Sequence, residues 1–204
     1  MSASHSLVAV YADESCLGNG KSGASPGGLG ALVEWRRPDG VVQRFDLWAS
    51  EPDTTNNRMA LRSVIDTFEA LSRKGNQLSV LFTTDSRYIV DGMTSWVRGW
   101  MARGWRRKEG AVENLELWQA AVAAIASHEC QWNWVKGHAG HPQNEYANHL
   151  ATRAAADQSA SGGLIVSEFD EWWGGRPVRG GGRPRSESPF PLAEAFSPSR
   201  PLPG

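Results

Sequence analysis

The chain has 204 residues, enough for one ordinary domain and an appendage, and its 21 basic and 22 acidic side chains leave a formal net charge of -1. That balance carries no bulk signature of nucleic-acid binding, so such a function has to rest on local patches. No stretch approaches the roughly 20 apolar residues of a membrane span, no long apolar run marks a secretion signal, and the two distant cysteines, Cys16 and Cys130, form no CxxC pair. A reduced, cytoplasmic setting without membrane contact is expected.

In chain order, residues 7–13 read as a strand with β-branched content, followed by a Gly-rich turn over 18–28. Residues 29–35 and 41–48 read as two strands joined at Pro38, Asp39 and Gly40, a clear turn signal. Thr54, Thr55 and Asn56 offer N-caps for a helix whose apolar positions Leu61, Val64, Ile65, Phe68 and Leu71 recur at three and four. Residues 78–84 predict a buried strand ending at Asp85, where a new helix starts. A Trp- and Arg-rich stretch covers 96–109, followed by a helix over 115–127, a short strand over 131–135 and a helix over about 143–156. This order predicts a five-stranded mixed sheet flanked by helices, an α/β domain over residues 1–157. Beyond it the composition turns to Gly, Pro, Ser and Arg, so residues 158–204 are expected to form a largely disordered tail, with Trp172 and Trp173 as a loosely packed surface patch.

Asp13 closes the first strand and Asp85 follows the fourth. Strand ends in such sheets are where ligands usually bind. Two carboxylates brought together there repel unless a proton or a cation separates them, and a hard divalent ion such as Mg²⁺ suits oxygen ligands. The plainer reading stays open, since aspartate at a strand end is often a helix N-cap.

Four blocks then appear in order. They are Asp-Glu-Ser-Cys-Leu-Gly-Asn from Asp13, Thr-Thr-Asn-Asn-Arg-Met from Thr54, Thr-Asp-Ser from Thr84, and Trp-Val-Lys-Gly-His-Ala-Gly-His-Pro from Trp134. Together they resemble the signature of bacterial ribonuclease HI over residues 7–156. The resemblance implies a ribonuclease H-like fold with a basic, Trp-rich protrusion. It implies a monomer that cuts the RNA strand of an RNA/DNA hybrid, using Mg²⁺ (or Mn²⁺) held by four carboxylates. Asp13 and Asp85 match the first and third of these, and His138 matches a mobile histidine that assists proton transfer or product release.

The other two carboxylate positions depart from the family. Ala60 stands where a glutamate is expected and Asn148 where an aspartate is expected, while Glu14 replaces a glycine. Asn148 keeps a carbonyl oxygen for a cation but loses a charge; Ala60 offers nothing. Relocation to Glu14 is one reading, although successive strand residues point to opposite faces. Glu145, one turn before Asn148, is a second candidate. Natural loss of cleavage with hybrid binding retained is the rival reading. Deliberate inactivation ranks last, because Glu at position 14 is not a typical inactivating replacement.

Residues 96–108 interleave Trp96, Trp100 and Trp105 with Arg98, Arg103, Arg106, Arg107 and Lys108. Basic side chains meet phosphates and indole faces stack on sugars or bases. By resemblance this is the protrusion that grips the DNA strand, with Trp96 among its contacts; Trp118 reads as packing. The resemblance also places Asn19, Asn56 and Asn57 against the hybrid's minor groove, with Cys16 and Arg87 among the substrate contacts. Thr55 and Asn114 fall in a DNA-phosphate pocket.

Overall fold

The computed structural model of the chain describes residues 6–18, 25–73, 75–175 and 189–203. Three strands, β1 (Ser6–Cys16), β2 (Gly27–Arg36) and β3 (Val42–Glu51), form an antiparallel meander. Helix α1 (Asn56–Ser72) leads to β4 (Leu78–Thr84), which lies parallel to β1. Helix α2 (Arg87–Asp91), a π-helical segment over Gly92–Trp96 and α3 (Val97–Ala102) follow, then α4 (Leu115–Ile125). The edge strand β5 (Glu129–Trp134) joins β4 in parallel, and α5 (Pro142–Asp157) crosses the opposite face. The sheet order is β5-β4-β1-β2-β3-β6.

The expected sheet of five strands has a sixth. It is β6 (Ile165–Val166), paired with β3 and drawn from the segment that composition assigns to a disordered tail. That expectation is corrected for residues 158–175 and 189–203. Phe169, in helix α6 (Phe169–Gly174), is fully buried against Tyr146 and Trp172, and Trp172 and Trp173 pack on the same cluster. Asp46 accepts hydrogen bonds from the Tyr146 hydroxyl at 2.6 Å and the Glu168 N–H at 3.2 Å. Arg44 bridges Glu34 on β2 and Asp170 on α6. Phe190 is buried beneath the Arg36 guanidinium, 4.6 Å from its ring centre. A few aromatic anchors in a Gly- and Pro-rich background therefore order the segment. Residues 176–188 lie outside the described residues.

Two apolar layers sandwich the sheet. Val8, Val10, Ala12 and Leu29 face α1 and α4, while Ala9, Tyr11 and Leu32 face α5 and α6. On the second face α5 approaches β2 at backbone contact. A Cβ on Gly30 would sit 2.3 Å from the Ala147 carbonyl oxygen, and one on Gly28 would sit 2.2 Å from that of Ala151. The alanines of α5 and these glycines let the helix lie flat on the strand, which fixes where its first turn meets the end of β1. β1 itself runs to Cys16, further than expected, because its ladder with β2 continues to Cys16 opposite Gly27.

Gly30→Val should therefore lower unfolding stability by on the order of 3 kcal/mol through overpacking against α5. Urea denaturation checks this; a midpoint equal to that of the parent would contradict the close approach.

Candidate active site

Strand pairing sets the site. β1 pairs with β4 only as far as Ala12 opposite Thr84, and then overhangs it while still paired with β2. Asp13 continues the face that carries Ala9 and Tyr11, so it looks toward α5; Glu14 continues the face of Val10 and Ala12, toward α1. In mid-sheet these carboxyl groups would stand on opposite sides of the sheet. Beyond the end of β4 no neighbouring strand separates them, and both reach round the open edge to meet Asp85, which follows β4. One carboxylate oxygen from each of Asp13, Glu14 and Asp85 lies within 4.8 Å of the others. Glu145 does not belong to this group; its charge acts on His141 instead.

Supporting contacts orient the three groups. The Glu14 N–H donates to Asp13 Oδ1 at 2.7 Å. The buried Asn144 side chain donates to Asp13 Oδ2 at 3.3 Å and to the Ala12 carbonyl at 3.5 Å. Ser86 occupies the N-cap of α2, yet its hydroxyl caps no backbone N–H; it lies near the Glu14 carboxyl and favours its charged form. Trp134 Nε1 donates to the Asp85 carbonyl at 2.9 Å, and a Cβ on Gly137 would sit 2.1 Å from Asp85 Oδ2. Gly137 is thus the one residue type whose backbone can back this carboxylate so closely. Sequence reasoning missed Asn144 and Ser86; the signal available was that each stands next to, or one helical turn from, a position already singled out.

Burial, and after it the Asp85 charge, push the Asp13 carboxyl up to about 8 against the opposing hydrogen bonds from Glu14 and Asn144. Glu14 is raised well above the ordinary carboxylate range, first by burial and then by Asp13 and Asp85. Asp85 is raised by burial, partly offset by its own backbone and by the nearby His138. Glu14 Oε2 is buried with no hydrogen-bond partner among the described residues. Three crowded oxygen donors, one of them unsatisfied, fit a hard divalent cation.

The remaining expected residues divide. Ala60 is fully buried in the α1 layer, on the side of the sheet that Glu14 faces. Asn148 is half-buried one turn beyond Asn144 on the same face of α5. His138 is exposed in the loop between Gly137 and Gly140 with φ at 53°, in the left-handed region. The Cys16 thiol points at the Thr54 carbonyl at 3.4 Å and ties the end of β1 to the loop before α1. Thr55 caps α1 by accepting from the Arg58 N–H at 3.4 Å, and Asn56 and Asn57 are exposed in its first turn. The Arg87 guanidinium lies over the Trp134 ring at 4.0 Å, and Asn114, with φ at 54°, donates to the Tyr88 hydroxyl at 3.3 Å. Asn19 lies outside the described residues.

The protrusion is built on rings. Trp118 is fully buried, donates to the Tyr88 hydroxyl at 2.9 Å, and packs on Trp100; Trp96 bridges Tyr88 and Trp100 and stays 38% exposed. Trp118 is therefore a packing residue, as its spacing suggests. Arg103 donates to the Arg106 carbonyl at 3.2 Å, which closes the turn that presents Arg106, Arg107 and Lys108 to solvent. A groove of about 470 Å³ between this turn and the rings is lined by Tyr88, Trp96, Trp100, Arg107 and Glu113.

The family model described as RNase H matches residues 5–156. The ribonuclease H of Syntrophotalea carbinolica is 41% identical over 162 residues, covering 79% of this chain and 99% of that protein. That of Dinoroseobacter shibae is 46% identical over 148 residues, covering 72% and 90%. Among solved structures, LC9-RNase H1, described as a type 1 RNase H with the type 2 active-site motif, superimposes with a TM-score of 0.91 at 58% identity, covering all of this chain and 96% of that one. LC11-RNase H1 in complex with an RNA/DNA hybrid shares the fold at a TM-score of 0.53 and 17% identity. On the match over residues 5–156 and these relatives, the chain belongs to the ribonuclease H family, enzymes that cleave the RNA strand of RNA/DNA hybrids with the help of divalent metal.

Proposed function

We propose that this chain cleaves hybrid RNA with a rebuilt carboxylate set: Asp13, Glu14 and Asp85, with the Asn148 carbonyl oxygen in the fourth position. The observation that carries the reading is the convergence of the three carboxylates within 4.8 Å, with Glu14 Oε2 buried and unpartnered among the described residues. Glu14 takes over from the glutamate that Ala60 replaces, entering the site from β1 instead of α1. The 58% identity to LC9-RNase H1, described with a type 2 active-site motif, supports a working variant over a dismantled site.

Asp13, Glu14 and Asp85 would hold Mg²⁺ (or Mn²⁺). When bound, Mg²⁺ supplies charge stabilisation at the scissile phosphate and an activated water. Asn144 and the Glu14 N–H hold the two Asp13 oxygens, so that Asp13 presents them without reorganising, and Ser86 lies beside the Glu14 carboxyl. Gly137, lacking a side chain, lets its backbone lie against the Asp85 carboxylate. His138, exposed on the loop near Asp85, stands at the rim of the site, where the family's histidine assists proton transfer or product release. Arg106, Arg107 and Lys108 meet the DNA strand's phosphates, with Arg103 shaping their turn and Trp96 offering a ring face. Thr55 sits at the N-terminus of α1, where backbone N–H groups favour a phosphate, while Asn56 and Asn57, exposed in its first turn, would meet the hybrid's minor groove.

Removing the Glu14 charge tests the reading. Glu14→Gln should lower kcat by on the order of 100-fold or more while hybrid affinity stays within about threefold, since a ligand counts for at least as much as the outer partners that orient it. Cleavage of a labelled hybrid by Glu14→Gln at the parent's rate would reject relocation. Asn144→Ala should reduce Mg²⁺ affinity or activity by about 10- to 100-fold, read from the Mg²⁺ dependence of the same assay.

Proton linkage gives a second handle. Without a cation the Asp13 carboxyl, pushed up to about 8, keeps its proton near neutrality, and binding a cation displaces it; the upward shift of Glu14 acts in the same direction. Apparent Mg²⁺ affinity should therefore rise with pH up to about 8, the value for Asp13. Titration calorimetry at pH 7 in two buffers of different ionisation enthalpy should show net proton release; identical heats in both buffers would contradict it.

A further inference from the structure

The C-terminal segment joins two elements that nothing in the sequence pattern connects. The Ser197 N–H donates to Gln131 Oε1 at 2.7 Å, and the Ser199 N–H donates to the Cys130 carbonyl at 2.8 Å. Both acceptors sit on β5, the edge strand, whose outer side would otherwise stand open. Leu202 packs on the large apolar cluster. From the other side Arg98, on α3, donates from Nη2 to the carbonyls of Arg200, at 3.0 Å, and of Pro201.

Arg98 belongs to the basic, Trp-rich stretch whose composition points to phosphate. Its guanidinium is turned instead on two backbone carbonyls of the chain's own end. The helix that carries it has six residues, far too few to hold its own shape in isolation. It leads directly to the turn that presents Arg106, Arg107 and Lys108. Apart from buried Val97 and half-buried Trp100 and Met101, the described contact that fixes α3 to the sheet side of the molecule runs through Arg98 and this segment.

We propose that residues 197–202 form a positioning strap. It holds the basic turn at a set distance from the carboxylates, and so sets hybrid affinity without touching the hybrid. The inference rests on the protrusion being the gripping surface. A turn held in place before binding loses less freedom when phosphates arrive, so loosening it weakens binding and leaves the chemical step alone.

Two full-length variants loosen the strap without changing net charge. Ser199→Pro combined with Leu202→Gly removes one N–H donor and one apolar anchor. Arg98→Lys keeps the cation but replaces the Nη2 that meets both carbonyls with an ammonium on a shorter stem. Both should raise KM and hybrid Kd by about three- to tenfold, as expected for losing a few pre-organising contacts. The value of kcat should stay within twofold, and the slope of log affinity against log salt should not change, because no phosphate contact is removed. Hydrogen exchange should quicken over residues 97–108 and stay unaltered in α1 and α5. A companion variant, Arg106→Ala/Arg107→Ala/Lys108→Ala, should weaken binding with a shallower salt slope. If that triple variant binds like the parent, the gripping reading falls. If it weakens binding while the strap variants do not, or if exchange over 97–108 is unaltered in them, the strap proposal falls alone. Strap variants that lose kcat and KM together, with faster exchange throughout, would mark a general stabilising role and overturn it.

Discussion

Three carboxylates are held within one cation's reach at the end of a strand that outruns its neighbour. Everything about the site follows from that confinement. Like charges at such spacing cannot all be ionised without a counter-charge, and burial sharpens the conflict. The fold resolves it by directing few hydrogen-bond donors at the site, the Glu14 N–H and Asn144 to Asp13, and by leaving Glu14 Oε2 without a partner among the described residues. A protein that needed these groups only for stability would gain by satisfying or replacing them.

The same overhang explains how a carboxylate can change its point of origin without leaving the site. In the middle of a sheet, adjacent residues of one strand never share a site, because the sheet stands between them. At Asp13 and Glu14 the sheet is missing on the β4 side, so alternation still holds for the backbone but no longer separates the side-chain tips. Position 60, on the helix packed over the Glu14 face, can then be a buried alanine. The family's geometry constrains where the oxygens meet, and less strictly which backbone delivers them.

Much of this was legible in the sequence. The strand ending before Asp85, the Thr55 cap of α1, the helix after Pro142 and the packing role of Trp118 follow from period, caps and turn chemistry. The objection to Glu14 was also legible, and sound as far as it went; its resolution depended on strand register, a long-range property that no local pattern encodes. The segment after Asp157 was misread for a different reason. Its composition averages out the few residues that matter, and Phe169, Trp172 and Phe190 gain their order from partners on α5, β2 and β3 that lie far away in the chain. Arg98 shows the same limit from the other direction. A basic residue in a basic stretch reads as a phosphate contact, yet its partners are the chain's own carbonyls, about a hundred residues on.

The central claim is that Glu14 is a member of the metal-binding set. Anomalous diffraction from crystals soaked in Mn²⁺ tests it most directly. The account predicts a cation coordinated at about 2.0–2.3 Å by oxygens of Asp13, Glu14 and Asp85 together. A cation bound by Asp13 and Asp85, with the Glu14 carboxyl turned away from it, would contradict the account.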